Sequence, residues 1–451
     1  MKFYHHLENL FHWTDLLIAV AYILIFFIIS IFIRGYQIEK YSEYKYLLSA
    51  VAVKILGVLA FSFMYLFYYG DGDTVFYFEG SRALNQIFFH NPYEYLKLMT
   101  SSTDFTPDLM YFREHIWYSR SSEEWFIMRL LSPVVALAFN RFLIAQVVMA
   151  FLTIFGGWKL FQSFLIFFPD KQKEAFIAIF LVPSVILWGS GILKDTVAVT
   201  SLSVFFYYAI KVLFLYQMKP KYIVILILSG YIILMVKSYI LLGFLPALFI
   251  GWILYNRNRI KSRFFRMIVT PFILLVALLG GYKVMNSLQA QSEKYAVENL
   301  ESRAKGFHSW HTHQGGSTYT LGEIEYTTVG LLKTIPRAIN VTYFRPYPDE
   351  IINVGTAIAG LESLASLIMV LLLLYWDRLK WLSLIFHNPI LLLSFIYVLI
   401  IGFAAGFTSY NFGALSRYKI PAMPFFAFIL FYLYSEHRSK IDKLKAEREQ
   451  N

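Results

Sequence analysis

The chain has 451 residues, 58% of them hydrophobic, 19% aromatic and only 15% charged. A water-soluble domain does not need that much apolar surface, so the composition predicts a polytopic membrane protein of all-α type. With no cysteine it holds no disulfide, thiolate nucleophile or Cys-ligated metal, and its formal charge of +11 calls for a count of where the Lys and Arg fall before nucleic acid is considered as a partner.

The opening "MKFYHHLENLFHW" lacks the basic start, apolar centre and small-residue site of a cleaved signal, and is expected to stay as an interfacial segment. Eleven apolar segments of spanning length follow: 15–34, 47–69, 142–168, 175–191, 196–215, 222–236, 239–255, 267–284, 356–375, 387–408 and 420–435. With the loop 34–45 in the cytoplasm, twenty of the 40 Lys and Arg residues fall in short cytoplasmic stretches. The first external loop, 70–140, instead carries nine acidic residues against five basic ones. The basic charge therefore reads as orientation, N-terminus outside and C-terminus inside, and no nucleic-acid partner is expected.

Only two connections are long, 70–140 and 285–355, and both fall on the external face. In the first, "DTVFYFEGSRALNQIFF" and "EEWFIMRLLSPVVALAFNRF" have the apolar spacing of helices lying at a membrane surface. The second holds an amphipathic start over 287–304, a Gly-, Thr- and His-rich centre, and "LLKTIPRAINVTYFRPYPDE" leading back to the bilayer. The tail 436–451 reads as a charged cytoplasmic helix.

Charged residues gather at that external face. "YYGDGDTVFYFEGSRAL" puts Asp71 and Asp73 where the second span ends, with Tyr77 one turn further on. Its blandest reading is a Gly-Asp turn with Asp73 as N-cap of the next helix. "PSVILWGSGILKDT" puts Lys194 and Asp195 at the next external surface, "YFRPYPDE" adds Arg345, Asp349 and Glu350, and "SRYKIPAMP" adds Arg417 and Lys419. Carboxylates beside cations at one membrane face suit group transfer from a phosphorylated lipid, since Arg binds phosphate bidentately and Lys adds a point charge. Lys54 and Glu362 lie inside predicted spans, where an ionisable side chain is a functional candidate or a structural partner. "HSWHTH" offers His308, His311 and His313, without a fourth zinc ligand at recognisable spacing. Trp117, Trp125, Trp188 and Trp310 suit interfacial anchoring or stacking on sugar rings.

The order of these parts resembles the GT-C membrane glycosyltransferases, which include oligosaccharyltransferases, protein O-mannosyltransferases and lipid A aminoarabinose transferases. "GDGDTVFYF" is similar to their first-loop acidic motif, "GILKDT" to the position of their second-loop acid, and "ALSRYKIPAMPFF" to an Arg-containing start of a late span. The resemblance divides the chain into an extra span with its loop (1–46), a seven-helix module (47–284), a second external loop (285–355), three further spans (356–435) and the tail (436–451). It implies an inverting transferase in the inner (plasma) membrane that moves a sugar from a polyprenyl-phosphate donor to an envelope glycan, lipid or protein acceptor outside the cytoplasm. Asp73, or equally Asp71, would be the general base, with Tyr77 sharing its site. Asp195 would orient the acceptor or help hold a cation. Arg345, followed by Arg417 and Lys194, would meet the lipid phosphate, and Asp349 and Glu350 would contact substrate. No cofactor is required by these motifs, and spacing decides neither for nor against Mg²⁺ or Mn²⁺. Two other readings stand beside this one. An O-antigen or exopolysaccharide polymerase or ligase would rest more on arginines, and a lipid-linked-glycan transporter or flippase would show repeated halves and charges near the bilayer midplane.

Overall fold

The computed structural model describes residues 10–103, 110, 116, 119, 121–257, 317–325 and 328–450. The expected span 267–284, the segment 287–304, His308, His311, His313, Trp117 and Trp310 lie outside the described residues. Within them the fold is helical, with a single β-bridge between Thr318 and Asn411 and no strand. Among the described residues, seven helical stretches are long and apolar enough to cross a membrane: Trp13–Gln37, Ser42–Tyr69, Phe142–Phe167, Lys194–Phe214, Pro220–Arg257, Val354–Asp377 and Pro389–Thr408. The chain is thus of the membrane class that composition predicts. It forms two compact units, each assembled from separated segments of sequence.

The first unit comprises residues 1–162, 185–207 and 224–238. Helix α1 (Trp13–Gln37) begins at His12, whose N–H donates to Asp15 at 3.0 Å, and Arg141 pairs with the same carboxylate. Helix α2 (Leu47–Met64) runs into a wide π-turn, Tyr65–Tyr69, that stops at Gly70. Gly70 and Gly72 have φ of 79° and 131°, values that an aspartate would adopt only with strain, so the glycines make the turn. The consequence corrects one expectation. Gly72, not Asp73, is the N-cap of α3 (Asp73–His90), and Asp73 is its first helical residue.

Helices α4 (Pro92–Thr100) and α5 (Ser122–Leu137) pack with α3. A Cβ at Gly80 would collide with Met128, so the two backbones of α3 and α5 approach closely. Ser81 donates to Met128 O at 2.9 Å, and Asn85 and Ser132 bond each other across the same seam at 2.6 Å. Helix α6 (Phe142–Phe167) follows.

The expected span 175–191 is not one helix. Helix α7 (Gln172–Phe180) ends before Pro183, which opens the short α8 (Pro183–Trp188). Proline lacks the N–H a continuing helix needs and disfavours helical backbone at Val182 before it. Helix α9 (Lys194–Ala209) passes into a π-turn, Ile210–Phe214. The expected spans 222–236 and 239–255 match the two helical halves of α10 (Pro220–Arg257), which break at Lys237, where φ of −154° and ψ of 80° lie outside the helical region.

The second unit comprises residues 163–184, 208–223 and 239–451. Helix α11 (Thr328–Phe344) leads to α12 (Val354–Asp377), whose first turn is capped by Asn353 accepting the Thr356 N–H at 2.9 Å. A short α13 (Lys380–His387) precedes α14 (Pro389–Thr408), α15 (Phe412–Tyr418) and α16 (Met423–Gln450). Helices α11 and α14 lie in close contact because Gly402 and Gly406 face Tyr343 and Ala338, leaving no room for a Cβ. Thr342 donates to Gly402 O at 2.6 Å and Tyr343 to Val398 O at 2.7 Å along that seam. The expected span 420–435 is the apolar start of α16, which continues unbroken into the charged tail.

Candidate functional site

The two acidic motifs of the first unit are joined by one side chain that composition does not single out. Gln146 on α6 is fully buried; its Nε2 donates to Thr74 Oγ1 at 2.8 Å and its Oε1 accepts the Ile192 N–H at 2.7 Å. Thr74 follows Asp73 in the first turn of α3, and Ile192 precedes Lys194 and Asp195. The amide therefore fixes the "GDGDT" turn against the "GSGILKDT" loop. That loop also closes on itself, with Thr196 Oγ1 donating to Trp188 O at 2.9 Å. It passes so near α2 that a Cβ on Gly191 would meet the Phe61 ring and lie 2.9 Å from Gln146 Oε1.

Around this junction the charges are paired. Lys194 Nζ lies 3.1 Å from Glu123 Oε2 and closer still to Glu124, both at the start of α5. Asp195, fully buried, pairs with Lys237 at the kink of α10. Lys54, inside α2, donates to Gly189 O at 2.6 Å. Burying ions costs several kcal/mol each unless they are paired, so the ion pairs explain how Lys194, Glu123, Glu124, Asp195 and Lys237 survive among apolar helices, while Lys54, among the described residues, has only a carbonyl. Lys194 with its two carboxylates carries a net negative charge, which favours a cationic neighbour over a phosphate. Asp71 is exposed and Asp73 half-buried, while Tyr77 is buried within α3.

In the second unit Arg345 and Glu350 form a fork: Arg345 Nε lies 2.9 Å from Glu350 Oε2, Nη2 reaches Oε1, and the Tyr347 N–H donates to Oε2 at 2.8 Å. The rings of Tyr319, Tyr347 and Phe412 surround the guanidinium at 5.9, 5.7 and 5.7 Å. The hydrogen bonds to Glu350 raise the pKa of Arg345. Burial works to raise that of Glu350, but the Arg345 hydrogen bonds, the Tyr347 N–H and the guanidinium charge outweigh it and hold the carboxyl below its ordinary value. Asp349 beside it is exposed, and Arg417 on α15 is half-buried. Glu362, within α12, meets Lys419 at 3.0 Å and accepts the Ser184 N–H at 2.7 Å.

The structure thus brings Lys194 to Glu123 and Glu124, Asp195 to Lys237, Arg345 to Glu350, and Glu362 to Lys419. Gln146, Glu123, Glu124 and Lys237 are not singled out by sequence reasoning. An amide near the start of the apolar run of α6 and a Lys within that of α10 were the signals available for two of them. Among the described residues, no three His, Asp or Glu side chains converge as a metal cage. The chain matches no protein-family model, no curated protein and no solved structure.

Proposed function

We propose that this chain is a membrane glycosyltransferase that moves a sugar from a polyprenyl-phosphate-linked donor to an acceptor hydroxyl. The observation that carries the reading is the Gln146 bridge, which holds a partly exposed carboxylate, Asp73, beside a second acidic loop at the ends of apolar helices. In the proposed step Asp73 takes the acceptor proton as its oxygen attacks the anomeric carbon. The bond from that carbon to the phosphate oxygen breaks with its electron pair, and the lipid phosphate leaves. Inversion follows from a single displacement. Asp73 is favoured over Asp71 because a base needs a fixed position, and Asp73 lies in the helix that Gln146 secures. Asp195 positions Lys237 rather than standing open to an acceptor. The reading keeps eleven spans, an external N-terminus, a cytoplasmic C-terminus and an inner-membrane location facing outward.

A second reading, a transporter of lipid-linked glycans, is favoured by the buried pairs Asp195–Lys237 and Glu362–Lys419, since ionisable side chains within spans mark substrate or proton paths. One assay separates the two. Reconstituted protein is given a panel of polyprenyl-phosphate sugars, and release of lipid phosphate is compared with Asp73→Asn and Asp71→Asn at matched folded amounts. Loss of about 10²- to 10⁴-fold in Asp73→Asn alone is expected for a general base. Movement of donor across the bilayer without sugar transfer in any variant overturns the transferase.

A further inference from the structure

The second unit contains a partly enclosed cavity of about 160 Å³ among α11, α12, α13, α14 and α16, with Tyr343, Leu373, Trp381, Ile385, Val398 and Leu430 in its wall. All of its lining is apolar. A cavity of this size and lining stays dry and takes hydrocarbon; about 150 Å³ is enough for benzene. Two of its walls, α12 and α14, are long and apolar enough to span a membrane, so the hydrocarbon at hand is a lipid chain.

A chain entering from the bilayer gains no hydrophobic free energy, because the lipid around it is as apolar as the cavity. Retention then depends on what the headgroup meets. Directly before Trp381, in the turn between α12 and α13, Arg378 and Lys380 are exposed, and among the described residues neither has an ion-pair partner. The carboxylate beside them in sequence, Asp377, is already met by His437 at 3.0 Å and Lys440 at 3.8 Å. Arg378 also has φ 51° and ψ −122°, a backbone conformation that costs a non-glycine residue free energy. The indole N–H of Trp381 is buried without an acceptor. Two free cations, an unused donor and a dry cavity thus adjoin one another within a few residues.

We infer that this turn and cavity form a binding site for an anionic glycerophospholipid, with a segment of one acyl chain in the cavity, the rest of it in the bilayer, and the phosphate on Arg378 and Lys380. The site goes beyond the proposed transfer reaction and does not depend on it. The full chain is reconstituted in vesicles where phosphatidylcholine is in large excess over phosphatidylglycerol, re-extracted in mild detergent, and its retained lipid identified by native mass spectrometry. Phosphatidylglycerol should be enriched over its bulk share by about fivefold per basic residue engaged. The surface double variant Arg378→Gln/Lys380→Gln should lose the enrichment while still holding some lipid. Leu430→Phe, which fills the cavity, should lose retained lipid of both kinds. Retention in bulk proportion by the parent, or undiminished enrichment in Arg378→Gln/Lys380→Gln, overturns the site.

Discussion

Replacing Gln146 by Leu keeps the side chain's size and apolar contacts but removes both hydrogen bonds of the bridge. The Ile192 N–H is then buried without an acceptor, at a cost of about 2 kcal/mol, and Thr74 loses a bond worth about 1 kcal/mol, so Gln146→Leu should destabilise by about 3 kcal/mol. Thr74→Val alone should cost about 1 kcal/mol. The double variant should cost about 3 rather than about 4 kcal/mol, because the Thr74–Gln146 bond can be lost only once. Denaturant unfolding of the purified chain in micelles, followed by tryptophan fluorescence, gives all three values. Sugar transfer measured on folded protein should fall steeply in Gln146→Leu although Asp73 is untouched, since a shift of about 1 Å in a reacting group costs about 10²-fold. If the costs of Gln146→Leu and Thr74→Val simply add, the amide does not tie the two motifs and the argument for the site fails.

Further outcomes follow from the paired charges. Lys419→Met should destabilise by about 3–5 kcal/mol because it strands Glu362 in the membrane interior, whereas Lys419→Met with Glu362→Gln should recover most of the loss; equal costs for single and double variants would show that the pair does not form. Glu350 has its carboxyl pKa lowered by Arg345, so the stabilisation it gives is present above the unfolded Glu value of about 4.3 and is lost as pH falls through the lower folded value. Protease cleavage in the 345–353 segment should be flat from neutral pH to about pH 5 and rise only below about pH 4. A rise already near pH 6 would mean that another group governs the segment.

The membrane class was legible in composition, and helix after helix in apolar run length. What failed was punctuation. Pro183 splits one expected span, since a run of apolar residues says how much hydrocarbon it suits but not where a backbone turns. The first-loop motif was legible as a turn, but the glycine between the aspartates was the informative residue: at φ 131° it takes the cap that an aspartate would otherwise hold. Site candidates were found singly. Their partners lay far along the chain, Glu124 being 70 residues from Lys194 and Asp195 42 from Lys237, and local spacing carries no signal for such pairs.

The kink at Lys237 also bears on how the chain is made. Asp195 is synthesised first, and at about 5–20 residues per second the 42-residue separation leaves it about 2–8 s without its partner. Asp195 is the second residue of α9 and Lys237 sits at the break in α10, so both charges lie at helix ends, where a side chain can reach water before its partner is made. Until α10 is made, the carboxylate of Asp195 depends on water at the end of α9, and its burial is complete only when Lys237 closes over it.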